Sequence, residues 1–241
     1  MCGILGSINL PFDEGLLETI AHRGPDGVGL LEEACGDHTV RLGHRRLSIV
    51  DLSEAGAQPM SMESGGKHLV FNGEVYNHQD LRAELSDASF RGHSDTETVL
   101  RALDAFGLPA VERLNGIFGF AYLDRSSNKL VLARDPFGVK PVYYSLFENS
   151  FAFASELLPL RKLVPTEVDS EALGVLLKLR YCPSPMTLYK GIRRLRPGHL
   201  LEVDLSAGRL TVRERSYIGE VERGAQSLSF EEAVEEYGRL F

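Results

Sequence analysis

The pattern of apolar and polar positions along the chain predicts strands that follow one another in runs. Residues 3–9 form a short, mostly apolar segment that is typical of a buried strand. Further strand-like segments lie at 39–43, 68–71, 117–123, 129–134, 142–146 and 151–154. Because helices do not alternate with each strand, this order favours antiparallel sheets layered with helices over a doubly wound parallel fold.

Helices are marked mainly by the signals at their ends. Ser94 and Glu97 have the spacing of a capping box ahead of an apolar stripe, and Gly107 follows as a stop signal. These residues predict a helix that begins after Ser94 and ends before Gly107. Shorter helices are expected over 12–21 and 78–86.

The C-terminal stretch differs from the rest of the chain. Residues 219–228 are polar, and Ser229 with Glu232 then forms a second capping box. Apolar residues follow at helical spacing, namely Phe230, Ala233, Val234, Tyr237 and Phe241. Because this stripe has no stop signal, we expect one domain over 2–218. Residues 219–241 are expected to be a linker and the first helix of a second, truncated domain.

Composition and charge exclude several classes of function. Apolar residues make up 43% and charged residues 25%, as in an ordinary globular protein. The net charge of −8 argues against a nucleic-acid partner and gives no reason to expect a membrane partner. No apolar run approaches the roughly 20 residues of a membrane span, and the first residues lack the basic flank of a signal peptide. The expected location is the cytoplasm.

The three cysteines, Cys2, Cys35 and Cys182, are too few and too scattered for a disulfide framework or a zinc site, so no metal is expected. Cys2 is distinguished by its position. Removal of Met1 would leave a thiol and a free α-amine on one residue. An α-amine titrates near pH ~7.7–8.0, so its neutral form could accept the thiol proton. Taken alone, however, Cys2 is better explained as a small core residue at the edge of the first strand.

Eight short motifs change this interpretation of Cys2. In chain order they are MCGILG, HRGPDG (22–27), LGHRRLSIVDLS (42–53), GAQP (56–59), FNGEVYNH (71–78), GHSDTETVL (92–100), RLNGIFGFAYLD (113–124) and ARDPFGVKPVYY (133–144). Together, from Cys2 to about residue 215, they closely resemble the glutaminase domain of class II glutamine amidotransferases, especially the glutamine-hydrolysing asparagine synthetases. The resemblance implies an α+β fold, the N-terminal nucleophile hydrolase sandwich of four αββα layers with mostly antiparallel sheets.

The resemblance also implies three catalytic residues, Cys2, Asn72 and Gly73. Cys2 would be the nucleophile that attacks the side-chain amide of L-glutamine. Asn72 would offer its side-chain amide and Gly73 its backbone N–H to the developing oxyanion, and a glycine lets the backbone approach closely.

Further residues are implied as binders of the substrate. Arg46 would hold the α-carboxylate of glutamine by a bidentate pair. Asp95 would bind the α-ammonium, and Glu74 would help to hold the same group. The backbone at Leu47 and Ile49 would line the site, together with Asn72 and Gly73.

Each of these residues has an ordinary explanation when taken alone. Asn72-Gly73 is most often a hairpin turn, Asp95 could simply complement a helix dipole, and Arg46 could be a surface charge. Their joint occurrence with Cys2, in the order of the family, favours the functional interpretation. Structural roles are expected for His22, His44 and His93.

The implied reaction is hydrolysis of glutamine to glutamate and ammonia through a γ-glutamyl thioester on Cys2, with no cofactor in this chain. ATP and Mg are expected only in a C-terminal synthetase domain of the same longer protein, which would amidate aspartate to asparagine. A homodimer is also a candidate assembly. Two alternatives stay open: a related amidotransferase with another acceptor, and a non-catalytic glutamine-binding module in which Met1 is retained.

Overall fold

The computed structural model describes residues 1–85, 89–219 and 228–240. The strands, in chain order, are β1 (Gly3–Ile8), β2 (Gly27–Cys35), β3 (His38–Arg46), β4 (Met60–Ser61), β5 (Lys67–Val75), β6 (Gly116–Asp124), β7 (Lys129–Arg134), β8 (Tyr143–Phe147), β9 (Ser150–Ala154), β10 (Ile192–Arg194), β11 (His199–Asp204) and β12 (Thr211–Ser216). They form two six-stranded sheets, one with the order β10-β8-β9-β1-β3-β2 and the other with the order β12-β11-β7-β6-β5-β4. Paired strands within both sheets run antiparallel.

The helices are α1 (Glu14–Leu17), α2 (His78–Glu84), α3 (Asp95–Phe106), α4 (Leu157–Leu163), α5 (Ser170–Leu179) and α6 (Phe230–Leu240). Apolar side chains of the two sheets meet in a central core. A second core lies between the sheet of β5 and the helices α2 and α3, and a third joins β1 and β9 to α1 and α4. The layers are therefore helix, sheet, sheet and helix, which confirms the predicted α+β sandwich.

Strand β1 lies inside its sheet although it begins at the third residue of the chain. All six of its residues are buried, and it pairs with β3 on one side and with β9 on the other. Gly6 is required for this packing, because a Cβ atom there would come within 2.3 Å of the Phe153 ring. The residue that precedes β1 is thus held at the end of a central strand.

The buried side chain of His44 connects the two sheets. His44 lies on β3, and its Nε2 is 3.1 Å from the carbonyl oxygen of Phe71 on β5 in the other sheet. Burial lowers the pKa of His44 to about 4, so the ring is neutral near pH 7 and Nε2–H donates this hydrogen bond. The geometry agrees with the structural role expected for this histidine.

The predicted strands are confirmed, most of them with wider bounds. The helix predicted over 12–21 is shorter: α1 ends at Leu17 and a 3₁₀ segment continues over Glu18–Arg23. The helix predicted over 78–86 is α2, and residue 86 lies outside the described residues.

The capping box predicted at α3 is only half correct. Ser94 Oγ accepts the N–H of Glu97 at 3.2 Å, and Gly107 ends the helix as predicted. The Glu97 carboxylate, however, accepts the backbone N–H groups of Arg91 at 2.8 Å and Gly92 at 2.9 Å. The Glu97 carboxylate therefore binds two backbone N–H groups that precede Ser94 in the chain, and not the N–H of Ser94 that a capping box would use.

The second capping box, before α6, is reciprocal. Ser229 N–H donates to Glu232 Oε2 at 2.8 Å, and Glu232 N–H donates to Ser229 Oγ at 3.2 Å. The side chains of Phe230, Val234 and Tyr237 are exposed, whereas Phe241 lies outside the described residues. Within the described part of the chain, no helix has the length and apolar character needed to cross a membrane.

Candidate active site

A cavity of about 100 Å³ opens where the starts of β1 and α3 meet the end of β3 and the middle of β5. Its lining includes every site residue predicted from the sequence, namely Cys2, Arg46, Leu47, Ile49, Asn72, Gly73, Glu74 and Asp95. The fold therefore brings together residues from four separate motifs. Their chemical roles remain predictions at this point.

The thiol of Cys2 faces the backbone of Leu47. The Leu47 N–H donates to Cys2 Sγ at 3.4 Å, and the thiol lies 3.7 Å from the Leu47 carbonyl oxygen. Burial raises the pKa of the Cys2 thiol, and the Leu47 N–H and nearby Arg46 only partly offset this rise. The thiol is therefore protonated at neutral pH and needs a base before it can attack a substrate.

The side chain of Arg23 also holds the backbone of Cys2 in place. Its Nε donates to the Cys2 carbonyl oxygen at 3.0 Å, while its Nη1 pairs with Glu156 Oε1 at 3.0 Å. The HRGPDG motif thus contributes to the geometry of the site, although no role for Arg23 was predicted.

Asn72 is only 1% exposed, yet neither its side-chain nitrogen nor its oxygen has a hydrogen-bond partner among the described residues. Buried amide groups are nearly always paired, so an unpaired one in a cavity is a group available to a ligand. The amide nitrogen is a donor of the type that stabilises an oxyanion.

Asn72 and Gly73 lie within β5, where they pair with Gly119 and Phe118 of β6. The alternative explanation of this dipeptide as a hairpin turn is therefore wrong. A Cβ atom at Gly73 would approach the Ile117 carbonyl oxygen to 2.3 Å, so the adjacent strand requires glycine here.

Arg46 is the last residue of β3, and its guanidinium is held by the loop that follows the strand. Its Nη1 donates to the Ser53 carbonyl oxygen at 3.0 Å and its Nη2 to the Asp51 carbonyl oxygen at 2.5 Å. A Cβ atom at Gly56 would come within 2.3 Å of Nη2, so the glycine makes room for the guanidinium. No carboxylate pairs with Arg46 in the described part of the structure, which leaves its charge available to an anion.

Asp51, which sequence reasoning missed, organises this loop. Its carboxylate accepts the Ser53 N–H at 2.8 Å, the Ser53 hydroxyl at 2.6 Å and the His93 N–H at 2.8 Å. These hydrogen bonds, the Ser53 hydroxyl first, lower the pKa of Asp51 to about 2. Asp51 thereby ties the loop of Arg46 to the segment just before α3, where Asp95 lies.

Asp95 is the first residue of α3 and is 5% exposed. Its Oδ2 accepts the Val75 N–H and its Oδ1 the Thr96 N–H, both at 2.9 Å. Burial raises the pKa of Asp95, and the neighbouring, exposed Glu74 adds to the rise. An ammonium ion bound here would favour the charged carboxylate and lower this pKa again.

Gln58 and Lys140 are also among the lining residues that were not predicted. Gln58 Oε1 accepts the Phe71 N–H at 2.6 Å and its Nε2 is 3.3 Å from Thr96 Oγ1, so it connects β5 to α3. The sequence signal that could have indicated these two residues was their place in the motifs, since Gln58 belongs to GAQP and Lys140 to ARDPFGVKPVYY.

The four histidines inside the motifs, His22, His44, His78 and His93, do not line the cavity. The ring of His22 is 2.8 Å from Glu156, His44 bonds to Phe71, and His93 donates its backbone N–H to Asp51. A proton acceptor for the thiol must come from elsewhere.

Solved structures share this architecture. A glutamine phosphoribosylpyrophosphate amidotransferase from B. subtilis, complexed with ADP and GMP, aligns with a TM-score of 0.64 and 17% identity over 90% of this chain and 50% of its own. An allosteric regulatory enzyme of purine biosynthesis aligns with a TM-score of 0.63 and 18% identity over the same shares. The sandwich defines this chain as a member of the N-terminal nucleophile amidotransferase fold class.

The family follows from the sequence. The pattern of the family described as "Glutamine amidotransferase domain" matches residues 1–217. The chain therefore belongs to the glutamine amidotransferase domain family.

Curated relatives are considerably longer proteins. Asparagine synthetase [glutamine-hydrolyzing] 1 of Bacillus subtilis is 36% identical over 211 residues, which are 82% of this chain and 33% of the relative. Amidase chry2 of Gibberella zeae is 37% identical over 190 residues, 78% of this chain and 28% of the relative. A putative asparagine synthetase [glutamine-hydrolyzing] of Mycobacterium tuberculosis is 40% identical over 190 residues, which are 73% of this chain and 29% of the relative. This chain spans about a third of the length of these proteins.

Proposed function

We propose that this chain hydrolyses L-glutamine to glutamate and ammonia through a γ-glutamyl thioester on Cys2. The observation that carries the proposal is the buried amide of Asn72, which has no partner among the described residues and lies in the same cavity as the Cys2 thiol, Arg46 and Asp95. A nucleophile, an oxyanion donor and two opposite charges are the groups that hydrolysis of an amino acid amide requires.

Two charges select the substrate. Arg46 binds the α-carboxylate of glutamine, and Asp95, assisted by Glu74, binds its α-ammonium. The neutral side-chain amide is then directed to Cys2. An amino acid with a different distance between its charged end and its carbonyl group would place that carbonyl group away from the thiol.

The first chemical step forms the thioester. Removal of Met1 gives Cys2 a free α-amine, which accepts the thiol proton directly or through a water. The sulfur attacks the amide carbon, and the electron pair of the C=O bond moves to oxygen, where Asn72 Nδ2–H and Gly73 N–H stabilise it. When the carbonyl re-forms, the C–N bond breaks and the amine returns its proton to the departing ammonia.

The second step consumes water. The α-amine takes a proton from a water molecule, whose oxygen attacks the thioester carbon, and the same donors stabilise the second oxyanion. The C–S bond then breaks, the sulfur recovers the proton, and glutamate leaves. Glutamine and water have become glutamate and ammonia, so no cofactor is needed in this chain.

The acceptor of ammonia is proposed from the relatives. Because several relatives are asparagine synthetases about three times as long as the match, we propose that residues 2–218 are a glutaminase domain and that 219–241 lead into a synthetase domain. That domain would bind ATP and Mg and amidate aspartate. The similarity to amidase chry2 keeps another acceptor open, and the sequence downstream of residue 241 would separate the two.

Non-catalytic binding of glutamine is the second candidate. It is favoured by one contact: Met1 itself lines the cavity, and its sulfur lies 3.2 Å from Lys140 Nζ. A chain that retains Met1 has no α-amine on Cys2 and would bind glutamine without hydrolysing it.

The test combines intact mass with product analysis. Purified chain whose mass shows loss of Met1 is incubated with glutamine, and glutamate, ammonia and the acyl adduct on Cys2 are measured. We expect equal amounts of glutamate and ammonia, an adduct after acid quench, and no products from Cys2→Ala. Ammonia release by Cys2→Ala, or none by the parent lacking Met1, would overturn the proposed chemistry.

A further inference from the structure

Lys140 places a buried positive charge beside the nucleophile. It is 8% exposed and lines the same cavity as Cys2. In the described part of the structure its ammonium makes no ion pair, and it contacts the sulfur of Met1 at 3.2 Å. Burying a lysine without a carboxylate costs free energy, so its place here calls for an explanation.

The loop before Lys140 is built to deliver it to this point. The buried carboxylate of Asp135 accepts the backbone N–H groups of Phe137 at 3.1 Å, Val139 at 3.0 Å and Lys140 at 3.0 Å. Arg134 donates to the Lys140 carbonyl oxygen at 2.8 Å and to the Gly138 carbonyl oxygen at 2.5 Å. The lysine backbone is therefore fixed on both sides.

The charges around the ammonium do not cancel it. Burial lowers the pKa of Lys140, and Arg23 lowers it further, while Asp135, Cys2 and Glu74 act in the opposite direction. The Asp135 carboxylate is already engaged by three backbone donors, and Glu74 is exposed to solvent. Around Cys2 itself, the cation Arg46 and the anion Asp95 oppose each other.

We propose that the Lys140 ammonium holds the α-amine of mature Cys2 in its neutral, proton-accepting state. This inference rests on the proposed function, because it requires that Met1 is removed and that the amine is the base. Met1 joins directly to the nitrogen that becomes this amine, and its side-chain sulfur contacts the Lys140 ammonium, so the amine formed on its loss shares one cavity with that ammonium. A protonated amine would then be a second positive charge in a confined site, which like-charge repulsion disfavours. Lys140 acts through the amine and is thus a positioning residue.

The test compares Lys140→Met, which keeps the length of the side chain without its charge, with Lys140→Arg, which keeps the charge. Full-length protein whose mass shows loss of Met1 is labelled with [15N]cysteine, and the α-amine is titrated by NMR. The pH profile of kcat/KM for glutamine is recorded in parallel. Lys140→Gln provides a second neutral variant should the methionine form fail to fold.

Removal of a positive neighbour makes protonation of the amine easier. In Lys140→Met the amine titration and the acid limb of kcat/KM should both move upward by about one pH unit. On that limb kcat/KM should fall about tenfold relative to the parent, with the difference shrinking as pH rises. Lys140→Arg should retain the parental profile.

The outcomes separate this inference from the proposed function. Coincident amine titrations for the parent and both neutral variants would overturn the role of Lys140, even if glutamine is hydrolysed. A shift in the alkylation profile of the Cys2 thiol with an unmoved amine would also overturn it, since Lys140 would then act on the thiolate. A shifted amine in proteins that release no ammonia would support the electrostatic effect and contradict the proposed function.

Discussion

Asn72 keeps both ends of a buried side-chain amide without a partner among the described residues. An unsatisfied buried polar group costs about 1–3 kcal/mol, so a fold that retains one sacrifices stability at that position. The proposed reaction uses the amide only when charge develops on the substrate oxygen. The cost in stability would thus be matched by a gain in the transition state.

The proposed role of Asn72 as an oxyanion donor predicts the kinetics of Asn72→Ala. Loss of one oxyanion donor should lower kcat roughly 100- to 1,000-fold while KM changes little, because the donor acts mainly in the transition state. Steady-state assays of glutamate formation measure both constants. A variant whose KM rises while kcat is retained would show that Asn72 binds the ground state instead.

Arg46 should behave in the opposite way. Arg46→Ala, made in the Cys2→Ala background to prevent turnover, should weaken glutamine binding by about 2–5 kcal/mol, the usual cost of removing one partner of a buried charge pair. Calorimetric titration measures the affinity. The matched control is Arg45→Ala, whose guanidinium pairs with Glu18 and does not line the cavity. Equal losses in the two variants would contradict the assignment of Arg46.

At the scale of elements, the pairing of β5 with β6 depends on Gly73. Because a Cβ atom there would meet the backbone of β6, Gly73→Ala should lower the free energy of unfolding by about 1–3 kcal/mol. Gly174→Ala is the control: apart from the adjacent residues and the backbone of α5 itself, no atom of the described residues lies within 4 Å of a Cβ there, and alanine favours a helix by about 1 kcal/mol. Urea unfolding should give opposite signs for the two variants.

The contact between the two sheets should respond to pH through His44. Its pKa is about 4 when folded, against an ordinary value near 6.5, so the unfolded chain binds the extra proton first as pH falls. The stability that His44 provides is complete above pH ~6.5 and is lost toward pH ~4, about 2 kcal/mol of it between pH 7 and pH 5. In His44→Gln, urea unfolding should show that much less loss over this range. An unchanged pH dependence would mean that His44 does not contribute.

How much of the fold could be predicted from the sequence differs between its helices and strands. The segment Gly3–Ile8 was clear because its residues are buried on both faces, and α3 was clear because Ser94 and Gly107 mark its ends. Strand β10, at the edge of its sheet, has only three residues, and α5 exposes much of an apolar sequence. The pairing of β10 with β8 is distant in sequence, so local patterns did not indicate this strand, whereas the N-cap Asp169 was a local signal for α5 that the prediction missed.

The site residues also differ in how far the sequence could predict them. The motifs indicated Cys2, Arg46, Asn72 and Asp95 because their side chains carry the proposed chemistry, and the fold brings these four residues to one cavity. Asp51, Gln58 and Lys140 act through backbone groups and electrostatic contacts that exist only after folding. Asn72-Gly73 has the composition of a turn, and only its pairing with β6 shows that it lies within a strand.

At the scale of the whole molecule, the chain should be sufficient for glutamine hydrolysis alone. Incubated with glutamine, aspartate, ATP and Mg, it should form glutamate and ammonia but no asparagine, because the sequence contains no recognisable phosphate-binding loop. ATP should leave the rate unchanged. Analysis of the amino acids by chromatography gives the result, and asparagine formed in an ATP-dependent manner would contradict the proposed division of the chain.

The central position of β1 has a consequence for the order in which the protein can be made. Leu5 leaves the ribosome early, yet one of its neighbours in the sheet is Ala154, which is translated much later. Until β9 emerges, the nascent β1 has an open edge, and closing so distant a pair is slow. Cys2 is therefore synthesised at once, but the strand that it precedes is completed only after residue 154, so a ribosome-bound chain stalled before β9 should contain Cys2 without an assembled site.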